Sequence, residues 1–493
     1  MQKFHNYIGG ESADPISAQW LDSVDPYSNE VWCRIPASDA RDADAAVAAA
    51  KGAFENGPWS RMTPTARGKL LRRLGDLIAT NAERLAAIEV RDNGKLIAEM
   101  LGQLRYIPEW YYYYAGLADK IEGAVVPIDK PGFLTYTRYE PLGVVAAITP
   151  WNSPLLLLAW KLAPGLAAGN TFVVKPSEYA SASTLEFARL FGEAGFPPGV
   201  VNVVSGLGSA VGARLIAHPD VAKIAFTGSD ETGRRINQEA ARTFKHVTME
   251  LGGKSPNIVF ADADLDAAAA GVMSGIFAAA GQTCIAGSRL LVEASIHDAF
   301  LERVIALASR ARVGDPSDPE TQIGPVANRP QFDKVMGCIE SAKAEGAHLA
   351  LGGGRSQRAG CERGLFIEPT IFCDVDNSMG IAQNEVFGPV LAAIRFDSED
   401  EAVRVANDTR YGLAAGIWTG DMGRALRMVE RIRAGTVWVN SYRALSYLAP
   451  FGGFKQSGLG RESGSEMIKE YLQSKTVWLS GGTSAPVNAF VMR

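Results

Sequence analysis

One cysteine in a run of small residues is the strongest candidate for chemistry in this chain. Cys284 lies in the stretch GQTCIAGSR (281–289), and the 493 residues include only five cysteines. A free cysteine often only fills space in a core. A thiolate is also a strong nucleophile that can carry a covalent intermediate. We therefore favour Cys284 as a nucleophile over a packing residue.

Two turns that contain glycine could hold a phosphate group. SGLGSAVG (205–212) has the spacing GxGxxxG, which is one residue longer than the dinucleotide fingerprint. In FTGSDETG (226–233) a predicted strand ends at Gly228, and a predicted helix begins directly after Ser229. The amides at a helix N-terminus attract phosphate. The residues favour the second turn and leave the first turn open.

Polar side chains follow three other predicted strands. They are Asn152 in PWNSP, Lys175 and Glu178 in KPSE, and Glu250 in MELGG. Open α/β sheets bind their ligands at the carboxyl ends of the strands. The alternatives are a turn cap for Asn152 and a solvated turn for the Lys175 pair. Glu250 stands directly after its strand, so we expect it to face the space that the strand ends surround.

The elements that must position these residues follow from the hydrophobic pattern. From Pro141, apolar strands such as LGVVAAIT (142–149) alternate with helices such as SPLLLLAWKLAPGLAAG (153–169), which is typical of a doubly wound parallel sheet. A second alternation follows Gly252. The first hundred residues are predicted to be mainly helical, and Ala267–Gly281 is predicted as one interior helix. Two outlying segments rich in strand formers, 122–140 and 470–480, are predicted to form a small sheet against a partner subunit.

Composition excludes several classes of partner. Lys and Arg number 49 and Asp and Glu number 54, so the chain has no excess of basic residues for nucleic acid. An odd number of cysteines without a CxxC pair argues against a disulfide framework and a zinc site. We see no signal peptide and no apolar run long enough for a bilayer. We therefore expect a cytoplasmic protein with no metal, membrane or nucleic-acid partner.

Eight ordered motifs indicate a family. They are PWNSP, WKLAPGLAAGN, VVKPSE, FTGS, MELGGKSP, GQTC, EVFGP and PFGGFKQSGLGRE. With these motifs the chain resembles the NAD(P)-dependent aldehyde dehydrogenases from end to end. The resemblance implies an α/β fold with a doubly wound Rossmann-like cofactor domain, an α/β catalytic domain and a small β oligomerisation domain. The implied borders are 1–121 and 141–251 for the NAD-binding domain, 252–469 for the catalytic domain, and 122–140 and 470–493 for the oligomerisation domain of a homodimer or homotetramer.

The same resemblance implies roles for single residues. Cys284 would be the nucleophile, Glu250 the general base, and Asn152 with the backbone amide of Cys284 the oxyanion site. Lys175 and Glu178 would hold the adenosine ribose, Ser229 the pyrophosphate, and Glu385 the nicotinamide ribose, while the 205–212 turn would be structural. The implied cofactor residues are Trp151, Lys175, Glu178, Gly228, Ser229, Gly233, Leu251, Glu385 and Phe387. The Glu178 carboxylate would repel a 2′-phosphate, so NAD is expected rather than NADP, with some NADP use tolerated beside Lys175.

The expected substrate tunnel is mostly apolar. Its implied lining residues are Leu157, Trp160, Thr283, Ile285, Arg443, Leu445 and Phe451, with Tyr106 and Trp110 nearby. Arg443 is the exception, and we expect it either to bind a carboxylate or other polar group or to be a solvated surface residue. The expected reaction is oxidation of an aldehyde, such as a polar or carboxylate-bearing semialdehyde, to the free acid. It would proceed through a thiohemiacetal and a thioester on Cys284, which water activated by Glu250 would hydrolyse.

Two other functions fit parts of this pattern. A cysteine esterase or thioesterase would use the same thiol without a redox step. A non-catalytic relative would bind NAD and leave aldehydes unchanged, because a fold can persist after its chemistry is lost. Formation of NADH from an aldehyde separates the expected reaction from both alternatives.

Overall fold

A computed structural model describes residues 1–482 and Phe490; the predicted oligomerisation residues 483–489 and 491–493 lie outside this part. The strands β1–β20, in chain order, are Gln2–Lys3, Asn6–Ile8, Glu11–Ala13, Trp20–Asp25, Glu30–Pro36, Phe133–Pro141, Val144–Thr149, Thr171–Pro176, Val201–Val203, Val221–Thr227, His246–Glu250, Pro256–Val259, Arg289–Glu293, His348–Leu351, Thr370–Cys373, Val390–Phe396, Ala414–Trp418, Thr436–Val439, Gly458–Leu459 and Leu472–Ser480. The helices α1–α14 are Ala40–Glu55, Pro64–Thr80, Ala82–Asn93, Ile97–Leu117, Pro154–Ala168, Ala182–Ala194, Ala213–Ala217, Asp230–Ala241, Leu265–Ile276, His297–Ser309, Arg329–Ala344, Gly380–Gln383, Glu399–Asn407 and Met422–Arg431.

Two large sheets with helices on their faces dominate the described structure. The first has the order β19-β11-β10-β7-β8-β9-β2-β3, and its strands from β11 to β9 are parallel. The second has the order β14-β15-β16-β13-β12-β17-β18 and is parallel except for β14. Crossover helices cover both faces of such sheets, which explains why every residue of β8 and β17 is buried. The predicted α/β fold class is confirmed.

The strand order of the first sheet brings the predicted site residues to one edge. Strands β11, β10, β7 and β8 are neighbours in that order. Their carboxyl ends carry Glu250, Gly228, Asn152 and Lys175, respectively. Parallel strands end at the same edge, so residues far apart in the chain become neighbours there.

The loop that carries Cys284 departs from the predicted interior helix. Helix α9 ends at Ile276, and Ala279, Ala280 and Gly281 have left-handed backbones with φ of 56°, 50° and 69°. An alanine rarely adopts this conformation. A Cβ at position 281 would collide with the carbonyl oxygen of Gly388, so this position needs glycine. The prediction of a continuous helix over 267–281 is wrong at its end, because a tight reversal delivers Cys284 to the site.

The prediction of a mainly helical N-terminal region is wrong for its first 36 residues. This segment forms β1–β5, and helices begin with α1 at Ala40. Strand β2 adds to the first large sheet through β9, whose residues lie almost 200 positions later. Such pairing over a long separation leaves little signal in the local pattern, whereas the periodic alanines of α1 predict their helix correctly.

The two outlying segments pair with each other as predicted. Strands β6 and β20 form an antiparallel sheet from the pair Pro141–Leu472 to the pair Phe133–Ser480. Contact of this sheet with a partner subunit, and the domain borders, remain predictions. Within residues 1–482, no helix combines the length and the apolar character that crossing a bilayer requires. The same residues contain no group of three or more His, Cys, Asp or Glu side chains placed to hold a metal ion.

We predict that Asn170→Ala destabilises the fold. The buried Asn170 side chain accepts a hydrogen bond from Gly143 N and donates to the carbonyls of Gly165 and Tyr471, at 3.0, 3.1 and 2.9 Å. Alanine would leave these groups unpaired in the interior, at a cost of about 3 kcal/mol. Thermal unfolding at a fixed scan rate should show a Tm several degrees lower. Ser60→Ala, at an exposed position, is the control; an equal Tm for Asn170→Ala and the wild type would contradict the prediction.

Candidate active site

Cys284 lies where two cavities meet. The larger cavity has a volume of about 420 Å³ and the smaller one about 120 Å³. Three residues line both cavities: Asn152, Leu157 and Cys284. A ligand in either cavity would therefore lie beside the same thiol.

The smaller cavity collects most of the predicted catalytic and cofactor residues. Those that line it are Trp151, Asn152, Gly228, Ser229, Glu250, Leu251, Cys284, Glu385 and Phe387. Five other residues line this cavity, namely Pro150, Thr227, Gly252, Gln331 and Lys334. The first three belong to the motifs PWNSP, FTGS and MELGG, and only Gln331 and Lys334 lie outside every motif. Gln331 donates to the carbonyls of Val386 and Phe387 at 2.9 and 3.0 Å and so holds the EVFGP loop in place. Its position on α11, remote from every motif, explains why the sequence analysis missed it.

Three predicted cofactor residues lie outside this cavity. Lys175 Nζ donates to Glu178 Oε2 at 2.8 Å, and Glu178 Oε1 accepts from Gly208 N at 3.4 Å. The 205–212 turn therefore lies beside this ion pair. Gly233 lies in α8, where a Cβ would come within 2.6 Å of the Leu251 side chain. Lys175 and Glu178 occupy the next strand end along the sheet edge, beyond the cavity itself.

Glu385 and the MELGG segment are packed together. Glu385 Oε1 accepts a hydrogen bond from Gly253 N at 3.0 Å, and a Cβ at Gly252 would lie 2.5 Å from Glu385 Oε2. Burial raises the pKa of the Glu385 carboxyl above its ordinary value. Phe387 has a left-handed backbone and packs edge-on against Trp151, with 5.3 Å between the ring centroids. Glycine at position 252 is thus required for Glu385 to reach the cavity.

Glu250 is a buried acid without a hydrogen-bond partner. Its side chain is 3% exposed, and no described residue bonds to either carboxylate oxygen. Burial raises its pKa well above the ordinary value and the Glu462 carboxylate raises it further, against the opposing charge of Lys161. Lys161 forms a buried ion pair with Glu462 and donates to Thr227 Oγ1 at 2.7 Å. The sequence analysis did not identify this ion pair, because nothing in the local pattern places 161 beside 462.

The thiol of Cys284 strongly favours its protonated form in the absence of ligands. Burial, together with the carboxylates of Glu385 and Glu250, raises its pKa to about 12. Asn152 Nδ2 donates to Gln282 O at 3.0 Å, which fixes this amide beside the loop that carries the thiol. Gln282 is itself buried and accepts from Ala327 N at 2.9 Å. These hydrogen bonds therefore fix the Asn152 amide and the loop that carries the thiol relative to each other.

The larger cavity contains all of the predicted substrate residues. Those that line it are Tyr106, Trp110, Leu157, Trp160, Thr283, Ile285, Arg443, Leu445 and Phe451. Trp160 links the aromatic wall, because its ring stacks on Trp110 at 6.0 Å and packs edge-on against Phe451 at 5.1 Å. This wall provides a broad apolar surface beside Cys284.

A polar group on another part of the wall was missed by the sequence analysis. Glu99 Oε1 accepts hydrogen bonds from Lys95 Nζ, Gln103 Nε2 and Arg443 Nη2 at 3.2, 3.2 and 3.3 Å. Arg443 Nη1 also donates to Ser274 O at 3.1 Å. Arg443 is therefore a paired residue of the cavity wall, and the alternative of a solvated surface arginine is wrong. Glu99 and Gln103 are four residues apart on α4 and share one face of that helix, and Lys95 precedes its first residue by two positions. The spacing of 99 and 103 was the available signal.

Comparisons with known proteins agree with this arrangement. The family model described as "Aldehyde dehydrogenase family" matches residues 13–477. The chain is 47% identical to (Z)-2-((N-methylformamido)methylene)-5-hydroxybutyrolactone dehydrogenase of Acinetobacter baylyi over 100% of both chains. It is 46% identical to the human mitochondrial aldehyde dehydrogenase over 96% of this chain and 91% of that protein.

A solved structure is also similar over nearly the whole chain. The betaine aldehyde dehydrogenase of Staphylococcus aureus, in complex with NAD+, has 41% identity and a TM-score of 0.97 over 99% of this chain and 96% of that one. The fold, the cavities around one cysteine, and these similarities over nearly the whole length lead to one conclusion. The chain belongs to the aldehyde dehydrogenase family.

Proposed function

We propose that this protein oxidises an aldehyde to the carboxylic acid through a covalent intermediate on Cys284, with NAD as the hydride acceptor. The observation that carries the proposal is the position of Cys284. One cavity beside the thiol contains buried carboxylates and the start of a helix, and the other has an aromatic wall suited to an organic substrate. The family membership supports aldehyde oxidation as the reaction.

The residues of the smaller cavity fit a dinucleotide. Gly228 and Ser229 line it at the start of α8, where the helix dipole favours a phosphate group. The buried Glu385 carboxylate can accept hydrogen bonds from ribose hydroxyls. Glu178, paired with Lys175 at the next strand end, would do the same for the adenosine ribose and would disfavour a 2′-phosphate. These contacts support NAD over NADP.

The proposed chemistry starts with attack of the Cys284 sulfur on the aldehyde carbon, as a base removes the thiol proton. Asn152 Nδ2 gives one N–H to Gln282 O, so its second N–H remains to stabilise the oxyanion with the Cys284 amide. Bound NAD would accept the hydride from the thiohemiacetal, which leaves a thioester. Glu250 then removes a proton from water, and the resulting attack on the thioester releases the acid and the thiol. A buried carboxylate with a raised pKa suits this base role.

We predict that Cys284→Ala abolishes NADH formation from every aldehyde that the wild type oxidises. Absorbance at 340 nm over a panel of aliphatic, aromatic, aminated and carboxylated aldehydes is the measurement. Cys338→Ala, at a half-buried cysteine outside both cavities, is the control and should retain activity. Ester hydrolysis by the wild type without NADH formation from any aldehyde would favour a cysteine esterase. NAD binding without either activity would favour a non-catalytic relative.

We predict that Glu250→Gln lowers kcat by about 100-fold, because hydrolysis of the thioester loses its base. The raised pKa of Glu250 means that the ionised form increases as the pH rises, so wild-type kcat should rise with pH until this group is ionised. The variant should lack this rise and should accumulate acylated protein, detectable by mass spectrometry after quenching. Glu466→Gln, at an exposed ion pair, is the control. An unchanged pH profile in Glu250→Gln would refute the assignment.

The substrate is proposed to be a polar or carboxylate-bearing semialdehyde. The relative from Acinetobacter baylyi is named for a hydroxybutyrolactone with a formamide substituent, which is a polar compound. Arg443 supports the same class here, because its guanidinium lines the larger cavity and can pair with a planar anion.

We predict that Arg443→Ala raises KM for 4-oxobutanoate by about tenfold, because one charge-assisted hydrogen bond is lost. The rise for butanal should be much smaller. Steady-state NADH formation with both aldehydes is the measurement, and Arg433→Ala, outside the cavity, is the control. Equal changes in KM for the two aldehydes would exclude a role for Arg443 in selecting anions.

The small sheet is proposed to mediate a homodimer or homotetramer. Its strands β6 and β20 expose Phe133, Leu134, Trp478 and Leu479, each by about half. Large apolar side chains on a two-stranded sheet are typical of a surface that another chain covers.

A further inference from the structure

We infer that the polar end of the larger cavity takes a substrate group with a single negative charge, and that Glu99 sets this charge count. The inference rests on the proposed function, because it treats the larger cavity as the substrate site. Two further residues, Lys95 and Glu99, then act with Arg443 to fix the number of charges on the substrate group that binds beside them.

The charges of the cavity wall do not balance. Among the residues that line the larger cavity, Lys95 and Arg443 are cations and Glu99 is the one carboxylate. Burial alone would raise the pKa of Glu99, but the charges of Lys95 and Arg443 outweigh it and lower the pKa below its ordinary value. Glu99 is therefore ionised at neutral pH, and the wall has a net charge of one positive unit.

One carboxylate oxygen serves both cations. Glu99 Oε1 accepts from Lys95 Nζ at 3.2 Å and from Arg443 Nη2 at 3.3 Å, and it accepts from Gln103 as well. Lys95 has one further side-chain partner, the neutral Ser153 Oγ at 3.0 Å. Arg443 has the neutral carbonyl of Ser274. Neither cation is thus hydrogen-bonded to a second carboxylate, although the Lys95 side chain is only 3% exposed. Glu89 is the other buried acid whose charge acts on Lys95.

The hydrogen bonds of the Arg443 side chain stabilise an unfavourable backbone conformation. Arg443 has φ of +65°, which is unfavourable for a residue with a side chain. Such a conformation persists where surrounding contacts over-determine it, and such residues cluster at ligand sites. Here the contacts are the hydrogen bonds to Glu99 and to Ser274 O.

A shielded excess charge favours a ligand that neutralises it. Burying an unpaired charge costs free energy, and a partner of opposite sign offsets this cost. A substrate with one carboxylate would bring the net charge of the wall and the bound substrate to zero. With a neutral substrate the net charge would stay positive. A cationic substrate would add a second unit of positive charge. The wild type should therefore oxidise monoanionic aldehydes in preference to neutral ones and neutral ones in preference to cationic ones.

Two ratios of kcat/KM test the inference in the full-length protein. The first compares 4-oxobutanoate with butanal. The second compares betaine aldehyde with 3,3-dimethylbutanal, which has the same shape without the charge. In the wild type the first ratio should exceed 10 and the second should lie below 0.1. In Glu99→Gln, the loss of one negative charge near the ligand should raise the first ratio by about tenfold and lower the second by a similar factor.

The opposite movement of the two ratios is the decisive readout, because a merely structural effect would change both substrates of a pair alike. Glu109→Gln is the matched control. It removes the same charge from the same helix, α4, about 15 Å further along and outside the cavity lining. Both ratios in this variant should equal those of the wild type.

Ratios in Glu99→Gln that stay constant, or that move in the same direction, would overturn the inference, as would a wild type without preference for 4-oxobutanoate. Failure to oxidise any aldehyde would instead reject the proposed function. In that case calorimetry of butanoate and butanamide binding to the wild type still tests whether the cavity prefers a ligand with one negative charge. Tighter binding of butanoate than of butanamide would support this preference, and equal or weaker binding would overturn the inference.

Discussion

Desolvation of ionisable groups is the constraint on which this site depends. Glu250, Glu385 and the thiol of Cys284 line one cavity between two sheets, and burial raises the pKa of each group above its ordinary value. A carboxylate in such a setting gains a strong tendency to accept a proton. The thiol in turn loses its proton only if a base takes it. The cavity therefore places two buried acids beside the thiol, and no histidine is among its lining residues.

Several contacts hold the loop that carries Cys284 in place. The reversal at 279–281 turns the chain out of α9, and Gln282 anchors the loop through its own buried hydrogen bonds. Asn152 holds the same loop from the first sheet. A Cβ at Gly253 would lie 2.6 Å from the carbonyl oxygen of Cys284, so the segment that connects β11 to β12 approaches the loop as closely as a glycine allows. The loop thus contacts the segment after β7 and the segment that joins the two sheets. The positions of these segments therefore set the position of the sulfur.

The two sides of the larger cavity serve different purposes. The aromatic wall of Trp110, Trp160 and Phe451 contributes apolar area and little orientation. The group of Lys95, Glu99 and Arg443 contributes fixed charges that are largely shielded from solvent. Electrostatic interactions are stronger in such surroundings than in water. Shape alone would admit many aldehydes of similar size. In the proposed substrate site, the charged group is therefore the part that would discriminate among them.

The sequence by itself determined the fold class, the strand ends that carry Asn152, Gly228 and Glu250, and the identity of Cys284 as the candidate nucleophile. These features depend on local periodicity and on motifs that surround each residue. Only the tertiary structure placed β1–β5, the Lys161–Glu462 pair and the contact of Glu99 with Arg443. Strand β2 pairs with β9, almost 200 residues later. The two side-chain pairs join segments even further apart: Glu99 and Arg443 meet across 344 residues, and Lys161 and Glu462 across 301. A contact between remote segments leaves no periodic signal in either one, because its free energy comes from a neighbour that only folding supplies.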